Sequence, residues 1–286
     1  MTAEAPDARA TSVVIVNYRT KELTQRAATS VLGEPEVGQL LIVDNGSEDG
    51  SAECLRRALS GTCAEVLQSP SNVGFGAAVN LAAAHATLPL LFLLNSDATL
   101  EPGCLRALAD RLLERPSNAV AAPAVYQTAP GKEPLPRPQR GAFGSFPAVW
   151  GPPWRQRRMA GTMAEQNGEL SPDWVSAVAM LVRRRDFLSI GGFDTDFHMY
   201  LEDVDLCRRF RERGMDVVRE PASVVVHLGG RSWRSGVDQR ERFQTSKIKY
   251  FTKAGASPAQ LAYLKALKAA RVLVARCWRP VRRVWP

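Results

Sequence analysis

The chain has 286 residues, 45% of them hydrophobic and 23% charged, and a formal net charge of +8. This balance suits a folded globular protein and excludes collagen-like and intrinsically disordered classes. Its five cysteines, at positions 54, 63, 104, 207 and 277, are odd in number and widely spaced and form no C-x-x-C pair. They argue against a disulfide framework or a zinc knuckle and fit a reducing compartment.

Residues 1–11 (MTAEAPDARAT) carry acids and no apolar core segment, so a flexible N-terminus without a secretory signal is expected. "SVVIVN" (12–17) reads as a buried strand followed by a helix to Leu32. "QLLIVD" (39–44) reads as a second strand, with a helix near 49–60. "AEVLQ" then precedes "GFGAAVNLAAAHA", and "LPLLFLLN" precedes "EPGCLRALADRLLER". Strand and helix repeating in this way predict an α/β fold with a parallel, helix-covered sheet. Such sheets bind ligands beyond the carboxyl ends of their strands. The polar residues found there are Asn17 and Tyr18, Asp44 and Asn45, Ser71 and Asn72, and Asn95, Ser96 and Asp97.

Periodicity fails between about 127 and 173, where Pro, Gly, Arg and Trp accumulate. A loop or lid is expected there, or a disordered segment. Beyond it, "WVSAVAMLVRR" reads as strand turning into helix, "SIGGFDTDF" as a glycine-permitted turn, "LEDVDLCRRFRERG" as a helix closed by Gly214, and "ASVVVHLGG" as a last strand. Residues 238–286 form a basic helical extension. From 258 onward it holds Lys265, Lys268, Arg271, Arg276, Arg279, Arg282 and Arg283 and no acid. Its apolar stripe of Leu261, Leu264, Leu267 and Val274, with two tryptophans near the end, fits either a membrane-surface helix or a helix packed on the domain. No apolar stretch approaches the ~20 residues needed to cross a bilayer.

Taken singly, "VDNGSEDGS", "SNVGFGAAVN" and "LNSDATLEPG" each read as a turn with a helix cap. Their order is more specific. A strand ending in Asn-Tyr, then "IVDNGSEDGS", "NVGFGAAVN", "LLNSDA", "GGFDTDFHMYLEDVDLCRR" and "VVVHLGG" closely resembles the inverting family 2 glycosyltransferases of the GT-A fold, and most of all their rhamnosyltransferase-like branch. The resemblance covers about residues 11–232. It implies a Rossmann-like, mostly parallel sheet flanked by helices over residues 12–237, with the 238–286 helical extension appended.

The resemblance also assigns roles. Asn17, Tyr18 and Asp44 would form a nucleobase pocket, since a carboxylate accepts from a ring N–H, and Asn45 would join the donor site. Asn72, Gly74, Phe75 and Gly76 would let backbone pass close to the nucleotide. Where the family carries Asp-x-Asp, this chain has Asn95-Ser96-Asp97. Asp97, with His227 as a further ligand or else a structural hydrogen-bonding residue, would hold Mg or Mn against the leaving diphosphate. Arg231 and Ser232 would lie near that diphosphate, and the basic stretch from Arg137 to Arg158 either closes over the donor or acceptor diphosphate or is a solvated surface.

Asp203 maps to the general base and Glu202 to a residue orienting the acceptor hydroxyls, while Asp205 is expected to pair with Arg208 or Arg209. Adjacent carboxylates also raise the proton affinity of one of them. Trp174 and Met180 fall where the family builds its acceptor wall. The partners implied are a nucleotide-sugar donor, with dTDP-L-rhamnose preferred, and a saccharide or polyprenyl-linked acceptor. No nucleic acid is expected, and the location implied is cytoplasmic, with attachment to the cytoplasmic membrane face through 258–286 left open.

Two other readings stand beside this one. A nucleotidyltransferase shares the sheet architecture, but "VNYRTKEL" lacks the glycine-rich loop that class places after its first strand. A non-catalytic nucleic-acid or membrane binder would use the basic tail and leave Asp97, Glu202 and Asp203 without a purpose.

Overall fold

The computed structural model describes residues 10–127, 137–138, 143–144, 171–228 and 236–277. Residues 1–9, most of the expected 127–173 lid with its basic stretch, Arg231 and Ser232, and the last nine residues lie outside the described residues.

The first half alternates as its sequence demands: β1 (Thr11–Asn17), α1 (Lys21–Leu32), β2 (Val37–Asn45), α2 (Ser51–Ala58), β3 (Ala64–Ser69), α3 (Phe75–His85) and β4 (Leu90–Asn95). These strands lie in the order β3-β2-β1-β4, all parallel, with Val13 opposite both Leu40 and Phe92. β1 and β4 are apolar along nearly their whole length because helices cover both faces, and Val13, Ile15, Phe92 and Leu93 are fully buried.

The second half is less regular. β5 (Ala98–Leu100), α4 (Cys104–Leu113) and β6 (Asn118–Gln127) come first, followed by the two-residue strands β7 (Arg137–Pro138), β8 (Phe143–Gly144) and β9 (Trp174–Val175). Then come β10 (Ala179–Arg183), α5 (Arg184–Ser189), α6 (Glu202–Glu212), β11 (Asp216–His227), α7 (Gly236–Lys253) and α8 (Pro258–Cys277). β10 runs antiparallel between β4 and β6, and β11 continues the sheet parallel to β6 before pairing antiparallel with β5. The result is one large, mostly parallel sheet whose single inserted strand, β10, joins its two halves.

A buried cation fixes that insertion. The guanidinium of Arg183, at the end of β10, donates to the carbonyls of Leu112 (2.8 Å), Arg115 (3.1 Å), Pro116 (3.3 Å) and Asn118. These include orphan carbonyls at the C-terminal end of α4, where a positive charge is favoured. The register of β6 and β11 shifts twice, between Asp216 and Val217 and again after Glu220, which faces Pro123 and precedes Pro221. The residues from 221 to 223 leave the ladder there, and Ser223 bonds instead to the carbonyl of Cys104 (3.0 Å).

A second, smaller core ties on the C-terminal helices. Phe197, Leu201 and Val204 pack with Tyr250 and Phe251 of α7 and Leu264 of α8. Leu264 is buried and Leu261 partly buried against this core, so the first turns of the apolar stripe pack on the domain. The side chain of Val274 and both terminal tryptophans lie outside the described residues. Among those described, no helix is long and apolar enough to cross a membrane.

Candidate functional site

The carboxyl ends of β1, β2 and β4 meet at one edge, as the doubly wound topology requires. At that edge Asn17 is fully buried, and its amide donates to Asp44 Oδ1 (2.7 Å) and Ser47 Oγ (3.2 Å). Its carbonyl accepts from the backbone N–H of Thr20 (3.3 Å) and from the hydroxyl of Thr24 (2.8 Å). Ser47 also donates to Asp44 Oδ1 (2.5 Å), and the Thr20 hydroxyl lies 3.1 Å from that of Ser96. One hydrogen-bonded net therefore joins the ends of all three strands.

This net corrects one expectation. Asn17 has no exposed surface and no spare hydrogen-bonding group, so it braces Asp44, itself buried, rather than offering a group of its own to a nucleobase. Asn45, almost fully buried, is likewise committed: its carbonyl accepts from Val73 N–H (3.0 Å), and its amide donates to Asn72 (3.4 Å) and to the carbonyl of Gly74 (3.3 Å). Tyr18 is only partly buried, with the Arg19 guanidinium 5.3 Å from its ring.

The glycines of "NVGFG" answer a different constraint from the one expected. A Cβ on Gly74, whose φ is +91°, would lie 2.5 Å from the carbonyl oxygen of His198, and Phe75 N–H donates to that same oxygen (3.0 Å). A Cβ on Gly76 would lie 2.9 Å from Phe193. Their smallness is thus required by the chain packed against them, the 193–202 segment. Phe75 stacks obliquely on Phe193 at 5.9 Å, while Asn72 is exposed and caps Gly74 N–H (3.1 Å).

Beyond β4, Asn95-Ser96-Asp97 turns into β5. Asp97 is buried, and its Oδ1 lies 3.0 Å from His227 Nε2 at the end of β11. β5 pairs with β11 there, and Leu228 N–H donates to the carbonyl of Asp97 (2.9 Å), so residues 130 positions apart are held side by side by backbone. No third His, Cys, Asp or Glu joins them in a metal-binding cluster among the described residues. A carboxylate oxygen and an imidazole nitrogen fit a divalent cation that takes its remaining ligands from water and a diphosphate.

Glu202 and Asp203 open α6 and benefit from its positive end. Asp203 Oδ2 accepts from Ala177 N–H (3.1 Å) and Oδ1 from Val204 N–H (2.8 Å), yet part of the side chain remains exposed. Burial raises its pKa more than these donors lower it. Glu202 is buried. Loss of solvent, and then the neighbouring Asp203 charge, push its pKa well above the ordinary 4.5, and its Oε2 has no hydrogen-bond partner among the described residues. The indole N–H of Trp174 is also buried and has no partner among the described residues. Asp205 bonds both Arg208 (2.8 Å) and Arg209 (2.7 Å), the local ion pairs expected of it.

The two acidic centres share one support. Asp203 is held by the N–H of Ala177, and the carbonyl of the next residue, Val178, accepts from Asn95 N–H (2.9 Å). The tight turn between β9 and β10 thus lies between the base candidate and the Asn95–Asp97 turn. Met180, one strand residue further on, is fully buried opposite Leu93, so the expectation that it lines an acceptor wall is corrected: it is core. Trp174 remains at the boundary, partly buried and packed against both hydrophobic clusters.

Sequence reasoning missed Ser47, Thr20, the Ala177–Val178 turn and His198. Ser47 had a signal in "DNGS", where a hydroxyl three residues after an acid can bond back to it. The other contacts depend on long-range approach and leave no local trace. Backbone strain marks the same places. Among the described residues, the non-glycine left-handed positions are Arg19 (φ 57°), Glu48 (φ 54°), Tyr200 (φ 69°) and Leu201 (φ 68°), which flank the strand ends and the start of α6.

Comparison with known proteins agrees with this geometry. The family profile described as "Glycosyl transferase family 2" matches residues 12–195. An N-acetylglucosaminyl-diphospho-decaprenol L-rhamnosyltransferase of Mycobacterium tuberculosis is 31% identical over 234 residues, 75% of each chain. A rhamnosyltransferase of Escherichia coli is 40% identical over a shorter stretch, 22% of this chain and 24% of its own. Among solved structures, a mannosyltransferase from Pyrobaculum calidifontis in complex with GDP-Man and Mn2+ superposes with a TM-score of 0.60 at 17% identity, over 98% of this chain and 84% of that one. GalNAc-T7 with UDP, GalNAc and Mn2+ gives a TM-score of 0.64 at 15% identity over 79% of this chain and 44% of that chain. These likenesses bear out the GT-A fold. With the profile covering most of the chain and the mycobacterial relative matched along three quarters of both sequences, the protein belongs to glycosyl transferase family 2 and is an enzyme that transfers a sugar.

Proposed function

We propose that the enzyme transfers L-rhamnose, with inversion, from dTDP-L-rhamnose to a saccharide carried on a lipid diphosphate. The rhamnosyl specificity and the lipid-linked acceptor rest on the mycobacterial relative, whose name specifies both. The observation that carries the mechanism is the Ala177–Val178 turn, which bonds Asp203 on one side and Asn95 on the other.

In this reading the nucleotide lies along the edge formed by Tyr18, Asp44 and Asn72, with its diphosphate toward Asp97 and His227. Those two residues would hold a Mg or Mn ion, which would supply Lewis-acid neutralisation of the charge that develops on the leaving diphosphate. Asp203 accepts the proton of the acceptor hydroxyl. That oxygen bonds to the anomeric carbon as the bond from this carbon to the diphosphate oxygen breaks. The raised proton affinity of Asp203 suits a base that must take a proton near neutrality yet begin ionised. Glu202 Oε2 and the Trp174 N–H, both buried and without a hydrogen-bond partner among the described residues, are the acceptor and donor that acceptor hydroxyls would satisfy.

A thermal-shift panel of dTDP, UDP and GDP, each with and without Mn, tests the donor assignment, because a ligand that binds only the native state raises the melting temperature. Stabilisation by dTDP above the others is expected. Selective stabilisation by UDP or GDP would replace the donor, and no stabilisation by any of them would remove the reading.

A further inference from the structure

A basic groove outside the transfer site runs between α7 and α8. It encloses a cavity of about 790 Å3 whose floor includes Ile248 and Ala269 and whose rim carries Lys249, Lys253, Lys265 and Lys268 against a single carboxylate, Asp196. Lys253 is committed, paired with Asp194 (2.5 Å) and Asp196 (2.7 Å). Lys268 donates to the Thr245 hydroxyl (2.8 Å) and Lys249 to the carbonyl of Asp196. No carboxylate pairs with Lys249, Lys265 or Lys268 among the described residues, so three ammonium groups face one cleft whose lining carboxylate, Asp196, is already paired with Lys253.

A smaller cavity of about 310 Å3, sharing Asp196, Thr245 and Lys249 with the first, continues along α7 to His198, Met199, Glu241 and Arg242. His198 belongs to the transfer site as well, since its backbone carbonyl receives Phe75 N–H and fills the space beside Gly74. Its imidazole is held below its ordinary pKa by partial desolvation and by the charges of Arg242 and Lys249, which is further sign of a positive local potential. The groove also lies immediately before the strained Tyr200–Leu201 pair that starts α6.

We infer that this groove binds the diphosphate of a lipid-linked acceptor, with the lysines on the phosphates and the first isoprene units on the apolar floor, while the sugar end extends past His198 toward Asp203. The chemistry selects that ligand. Clustered ammonium groups favour a compact anion of high charge, and an apolar floor beneath them favours one esterified to hydrocarbon. The inference rests on the transfer reading for its direction, but the groove itself can be tested separately.

Calorimetric titration of farnesyl diphosphate into the full chain, with the donor cleft saturated by whichever nucleoside diphosphate stabilises it, reads the groove directly. Farnesyl diphosphate should bind more tightly than inorganic pyrophosphate, and farnesol should not bind. Lys265→Gln with Lys268→Gln should weaken farnesyl diphosphate roughly tenfold or more, as expected for losing charge-assisted hydrogen bonds. The charge-reversing pair, Lys265→Glu with Lys268→Glu, should abolish binding. Both sites are at the surface, and unchanged circular dichroism would verify folding.

Equal affinity for pyrophosphate and farnesyl diphosphate would overturn the assignment to a lipid. Unchanged affinity in both double variants would overturn the site. Loss of binding to phosphatidylglycerol vesicles with farnesyl diphosphate binding intact would assign the lysines to a membrane surface instead. If no nucleoside diphosphate binds the cleft, the transfer reading fails while the lysine variants still judge the groove.

Discussion

Replacing Glu202 with Gln should make the folded protein more stable at neutral pH while impairing transfer. Glu202 is buried, its Oε2 has no partner among the described residues, and burial followed by the Asp203 charge raises its pKa well above 4.5. Above that ordinary value the folded protein holds a proton the unfolded chain has released, so folding grows less favourable as pH rises. Stability from this group is therefore complete below the unfolded value and is lost as pH climbs through the folded one. Keeping that proton, or else burying an unsatisfied charge, costs the folded state about 1–3 kcal/mol or more at neutral pH, and Gln removes the titrating group at nearly constant volume. With a urea slope near ~3 kcal/mol/M for a chain of this size, the midpoint should rise by roughly 0.3–1 M at neutral pH. Urea denaturation of both proteins between about pH 5 and about pH 8 measures it, and the gap should widen with pH. Parallel pH profiles, or a variant less stable at the alkaline end, would refute the claim that Glu202 is a strained, proton-holding group.

Gly74→Ala should destabilise by about 2–4 kcal/mol, since φ +91° is a glycine conformation and the new Cβ would meet the His198 carbonyl at 2.5 Å; urea midpoints measure it. Asp97→Asn should leave the fold intact but remove the extra thermal stabilisation that Mn gives the nucleoside diphosphate complex, because His227 then remains as one neutral ligand. Persistent enhancement by Mn in Asp97→Asn would place the ion elsewhere.

The sequence exposed the first half of the fold because β1, β2, β3 and β4 each alternate with a helix, and the structure adds only boundaries. β6 was missed because "NAVAAPAVYQ" is alanine-rich and interrupted by Pro123, features that argue against a strand until β11 and β10 are seen to cover it. β11 was read only from residue 222 because Pro221 breaks its pattern, yet pairing resumes on both sides of the break. At the candidate site, ordered motifs pointed to Asp44, Asp97, Glu202 and Asp203. They did not separate side chains that face a ligand from side chains that brace one, since Asn17 and Asn45 look the same in sequence whether their amides are free or saturated. That distinction depends on burial and partners set by residues as distant as Val73 and Thr24. The glycines of "NVGFG" were legible as positions of close approach, but what approaches them, the chain at Phe193 and His198, comes from more than a hundred residues away.

The most direct measurement of the central claim is the turnover of Asp203→Asn alongside its nucleotide binding. A neutral amide of the same size keeps the contact region with Ala177 but cannot take a proton at this position. kcat should fall by roughly 10²–10⁴ while the nucleoside diphosphate still raises the melting temperature as in the wild type. Turnover near the wild-type rate, with binding equally intact, would contradict the account.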